Sequence, residues 1–141
     1  MSKGENHDRQ LAYSIYVAGI DDVSDRLNRN AAGSNPQKSS KDMSLATPDG
    51  LKWVQIRPGN EMAVVYGDPS KAGELYAVRF RFADGFKVPA HWHPQDEHAT
   101  VLQGTLLLGM GTNWNAAQLT TEMKQGTYIF LPKEMPHFAL A

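Results

Sequence analysis

The stretch that decides the fold is Gly85-Phe-Lys-Val-Pro-Ala-His91-Trp-His93-Pro-Gln-Asp-Glu97-His98-Ala-Thr-Val-Leu-Gln-Gly104. In an extended chain, side chains alternate between faces, so His91 and His93 project to one side with Cβ atoms about 7 Å apart, while Trp92 points the other way. Two imidazoles at that spacing can converge on one ion. Pro94 interrupts the strand and lets the chain turn, and Glu97 then enters the next strand with its carboxylate directed back to the same point. By the same alternation His98 faces away, which leaves it as an exposed or supporting residue. A fourth ligand must come from elsewhere in the chain. His137 is the only remaining histidine besides His7 near the N-terminus.

Around this stretch the chain reads as all-β. Leu51 to Arg57, Glu61 to Tyr66, Leu75 to Ala83, Glu97 to Gln103, Thr105 to Met110, Gln118 to Met123 and Thr127 to Leu131 are short β-prone runs separated by Gly, Pro, Asp or Asn turns, the spacing of a sandwich or barrel. Leu75 to Ala83 is the clearest, with Tyr76, Val78, Phe80 and Phe82 on one face and Ala77, Arg79 and Arg81 on the other. Arg79 and Arg81 read as a solvated face, with the anchoring of a carboxylate as the alternative. Gln103-Gly104 turns one strand into the next, because Gly104 can take the positive φ of a tight hairpin.

Before Gly50 the character changes. Leu11 to Ala18 favours a strand, with Tyr13, Ile15 and Val17 on one side, and Asp22 to Asn30 favours a short capped helix. Asn30 to Lys41 has no apolar residue larger than Ala and reads as a linker or mobile arm. The division expected is therefore an N-terminal arm and linker over residues 1–50 and a β-barrel domain over residues 51–141.

In this setting the motif resembles that of the cupin superfamily. The first cupin motif, G-x5-H-x-H-x3-E-x6-G, is matched without a gap by Gly85, His91, His93, Glu97 and Gly104. The second, G-x5-P-x-G-x2-H-x3-N, is matched by Gly126, Pro132 and His137 and departs from the pattern at Glu134 and Ala141. The resemblance implies a small cupin jelly-roll barrel, the double-stranded β-helix of RmlC-like proteins, holding a metal on His91, His93, Glu97 and His137. Glu134 stands where Gly is usual, and the loop is expected to accommodate it by keeping φ negative.

Composition limits what such a site can do. The 141 residues carry 14 Lys+Arg against 15 Asp+Glu, a formal charge of -1, and no cysteine. There is no basic excess to hold nucleic acid, and no disulfide, thiolate metal site or cysteine nucleophile is possible. Three imidazoles and one carboxylate suit one divalent iron, manganese, nickel, copper or zinc ion better than magnesium or calcium. The longest uncharged run, Leu11 to Ile20, is about half the length a membrane-spanning helix needs, so no membrane partner is expected. The residues before it mix Lys3 and Arg9 with Glu5 and Asp8, unlike an export signal. The cytoplasm is therefore the expected compartment, with export as the alternative.

These features point to a metal-dependent oxygenase acting on a small oxygenated organic molecule, with Glu97 as ligand and proton acceptor. Tyr76, Gln103 and Tyr128 are candidate cavity-wall residues. The alternative is a non-catalytic metal-binding or ligand-binding sensor, resembling the cupin part of anti-sigma factors. Only four residues follow His137, so an open sheet edge beside the metal site is expected. The N-terminal strand would cover that edge, in its own barrel or in a homodimer partner's.

Overall fold

The computed structural model describes residues 13–18, as a backbone strand, and residues 43–141. The expected helix over Asp22 to Asn30, the Asn30 to Lys41 linker and His7 lie outside the described residues. Among the described residues ten strands follow one another: β1 (Tyr13–Ala18), β2 (Val54–Arg57), β3 (Asn60–Tyr66), β4 (Leu75–Phe82), β5 (Lys87–His91), β6 (Glu97–Val101), β7 (Thr105–Met110), β8 (Leu119–Lys124), β9 (Tyr128–Leu131) and β10 (His137–Leu140). They form two antiparallel sheets, one of six strands in the order β2-β3-β4-β1-β6-β9 and one of four in the order β5-β10-β7-β8. This is the all-β arrangement expected from the turn spacing, and the jelly roll that the cupin resemblance implies.

The alternation in β4 sets the inside of the larger sheet. Tyr76, Val78 and Phe82 are buried and Arg81 is exposed. Phe82, Val101 and Leu131 of the six-stranded sheet meet Leu108 and Met123 of the four-stranded sheet in one core cluster, so the core lies between the two inner faces. Gly104 takes φ +76° between β6 and β7, as expected of the hairpin. Gly109 is needed for a different reason. A Cβ built there would stand 2.3 Å from the ring of Phe138, which is fully buried.

Three expectations are corrected. The chain end leaves no open edge beside His137, because β10 lies between β5 and β7. Its four residues suffice to fill that slot, and the pairing runs on through Ala141 N–H to Phe86 O and Gly85 N–H to Ala141 O. The N-terminal strand is likewise not an edge cover. β1 lies inside the six-stranded sheet, pairing with β4 from Tyr13 to Ala18 and with β6 from Tyr13 to Val17. Finally, Glu134 has φ +60° rather than a negative value, because its N–H is turned to donate to His93 O at 2.7 Å.

Candidate metal centre

Strand pairing brings the separate parts of the motif together. His91 at the end of β5 lies opposite His137 at the start of β10, and Glu97 opens β6. The three imidazoles of His91, His93 and His137 offer ligand atoms all within 4.8 Å of one another. Their ring centroids are 4.3 to 5.4 Å apart. Glu97 Oε2 adjoins two of them, 3.1 Å from His93 Nε2 and 3.3 Å from His137 Nε2. The structure thus groups the three histidines named from the sequence, and Glu97 joins them beside His93 and His137.

The donor set fits a metal ion on geometry as well as chemistry. His93 Nε2 and Glu97 Oε2 are buried, yet they make no aligned hydrogen bond despite their short separation. Two ligands bonded at about 2.0 to 2.2 Å and set at a right angle around one ion stand about 3 Å apart, which is the separation observed. The outer nitrogens are fixed too. His91 Nδ1–H donates to Pro89 O at 2.7 Å and His137 Nδ1–H to Met135 O at 2.9 Å, since a carbonyl can only accept. Each Nε2 is thereby left as the inward-facing ligand atom.

Burial and mutual charge set the protonation states. Burial, reinforced by the neighbouring His137, pulls His91 down to about 4 against the opposing bond to Pro89, so its Nε2 is a free lone pair at neutral pH. Burial alone would raise Glu97, but contact with the His137 and His93 imidazoles outweighs it and holds the carboxyl at about 2. For His137, burial lowers and contact with Glu97 raises, and the latter prevails. Contact with Glu97 thus favours a proton on His137, with which a metal ion would compete.

Two bonds from main-chain N–H groups, one to a side chain and one to a carbonyl, tie the loops of the candidate site to each other. Lys133 N–H donates to Asp96 Oδ1 at 2.9 Å, and Glu134 N–H donates to His93 O. The segment carrying His93 and Glu97 is thus stapled to the one that leads into His137. Asp96 escaped the sequence reading because its partner is 37 residues away and no local pattern marks such a contact.

The remaining candidates separate by face. His98 is on the outside, with Nδ1 2.6 Å from the Tyr128 hydroxyl and its ring beside Phe130. Tyr128, 60% exposed, therefore lines no cavity, and Gln103 is exposed in the β6–β7 turn. The period-two alternation that directs Glu97 inward sends Thr100 and its partner Tyr128 out. Arg81 stacks its guanidinium 3.7 Å over the Trp53 ring, and Arg79 shares its outward face, so neither anchors an anion inside. Tyr76 does face the interior, at 3% exposure.

Fold and site together define a metal-binding jelly-roll protein. The family model described as Cupin matches residues 61–141, more than half of the chain, and the chain belongs to that family. No curated protein and no solved structure matches it.

Proposed function

We propose that the protein is a metal-dependent oxygenase in which His91, His93, Glu97 and His137 hold one divalent transition metal and a small oxygenated organic molecule is the substrate. The observation that carries this reading is the unequal exposure of the four ligands. The His93 side chain is 23% exposed, whereas Glu97 and His137 are at 5% and 6%. The His93 ring reaches solvent although its Nε2 is buried, and this partial exposure supports access to the ion from the His93 side. When bound, the ion supplies a Lewis acid with open positions for oxygen donors. Three neutral imidazoles and one carboxylate leave a divalent site at charge +1, which suits an anionic oxygen ligand. Glu97, a carboxylate at neutral pH, is the group placed to accept a substrate proton.

Oxygen uptake by metal-loaded protein over a panel of diols, diketones and phenols tests the reading. Uptake should appear with the wild type, persist in His98→Ala, and vanish in His93→Ala together with at least tenfold weaker metal binding. Tight zinc occupancy without uptake would favour the sensor instead.

We also propose a homodimer. β9 is an edge strand of the six-stranded sheet, and Tyr128 and Phe130 stand on its outer face at 60% and 46% exposure, a combination suited to association. Among the described residues no helix is long and apolar enough to cross a membrane. Light scattering that gave the mass of one 15.6 kDa chain would exclude the dimer.

A further inference from the structure

The three imidazoles of the site are not held alike. His91 Nδ1 is bonded to Pro89 O and His137 Nδ1 to Met135 O, and a carbonyl partner of that kind fixes the orientation of a ligand ring and raises its basicity. Among the described residues His93 has no such bond. Its place in the fold differs in the same direction. β5 ends at His91 and β10 begins at His137, so those two rings stand on paired strands, opposite each other, whereas His93 belongs to the connection between β5 and β6. Its side chain is 23% exposed, against 6% for His137 and 5% for Glu97.

What is fixed at His93 is its main chain. The carbonyl accepts from Glu134 N–H at 2.7 Å, and Pro94 restricts the residue before it to extended backbone. Rotation of the side chain is the freedom that remains. On its inner side Nε2 is buried without an aligned partner, so the bond to an ion is what would hold the ring in place. Losing that bond would disturb no strand pair, since the residue lies in neither β5 nor β6.

We propose that His93 is the exchangeable ligand of this metal centre: a small anion that reaches the ion from the His93 side takes the place of its imidazole, while His91, Glu97 and His137 keep the ion. The inference rests on the metal-site reading above and assigns unequal roles to ligands that the sequence motif presents as equals. Charge favours the exchange. One carboxylate leaves a divalent ion positive, and a monoanion in place of a neutral ring cancels that remaining charge in a site where burial makes it costly.

The test uses the full chain loaded with cobalt(II), whose unpaired electrons shift the proton signals of bound imidazoles, titrated with sodium azide. Wild type should show two shifted N–H signals in water, from His91 and His137, with the His93 hydrogen exchanging too quickly to be seen. Saturating azide should remove the shifted ring signals that His93→Ala also lacks and leave those of His91 and His137 in place. His93→Ala should bind cobalt about tenfold more weakly than wild type, and His91→Ala and His137→Ala at least about tenfold more weakly again. Shifted signals from all three rings at saturating azide, or no response to azide, would overturn the exchange and leave the metal site standing. Equal loss of affinity in the three variants would do the same. Cobalt that shifts no imidazole signal in wild type would overturn the metal site itself.

Discussion

His91 shows how one imidazole can be prepared for metal and yet tax the fold in acid. Its ordinary value is 6.5 and the folded site holds it at about 4, so between those values the unfolded chain binds the extra proton. Stability therefore falls as pH falls through that window, and the full gap corresponds to about 3 kcal/mol. The neighbours do not mask this. His137, raised in the fold, contributes stability that is constant below 6.5 and lost only as pH rises. Glu97, held at about 2, begins to lose its contribution only below its ordinary 4.5. Metal-free protein should accordingly melt earlier at pH 4.5 than at pH 6.5, and His91→Asn should flatten that dependence. Parallel curves for the two proteins would refute the assignment. The four candidate ligands were legible because the spacing of His91, His93 and Glu97 suggests one side for all three, even though β5 ends at His91, and because the cupin resemblance then singles out His137. Asp96 was not legible, since its role is created by a loop that arrives from another part of the chain.

Among the elements, the β9–β10 connection departs most from expectation. Glu134 occupies the left-handed region at φ +60°, which disfavours a side chain with a Cβ by about 1 kcal/mol. The bond from its N–H to His93 O requires that geometry. Glu134→Gly should keep the bond and raise the melting temperature, with a gain of about 1 kcal/mol or less once the added freedom of the unfolded chain is counted. A drop in stability would mean that the carboxylate itself makes a contact that matters. Strands such as Thr105 to Met110 appear with the limits read from the sequence, because turn residues bracket them. The start of β5 and all of β10 are not evident as strands in the sequence, and the strand read through His93 ends at His91. Pro89 interrupts the first, and the second has four residues whose only support is the slot between two distant strands.

At the scale of the whole molecule, β1 joins two groups of strands, β2-β3-β4 and β6-β9, that do not otherwise pair. Every N–H of a strand in that position is used on one side or the other, so proline cannot be accommodated there. Ile15→Pro should cost about 3 kcal/mol, near 10 °C in melting temperature for a chain of this size. An unchanged melting temperature would show that residues 13–18 do not belong to the sheet. Sequence supplied the strand character of this segment but not its neighbours. A period-two pattern identifies a face, and choosing between the edge and the middle of a sheet depends on partners more than fifty residues away.

That position also orders events during synthesis. β1 leaves the ribosome long before either of its neighbours, and Ala18 meets Leu75 while Val17 meets Glu97. Until then β4 and β6 each present a bare ladder of N–H and C=O groups, the surface on which chains pair with the wrong partner. Such non-local closure slows folding. Because Glu97 belongs to β6, one of the two strands that β1 links, the site cannot take shape until β1 has found its place.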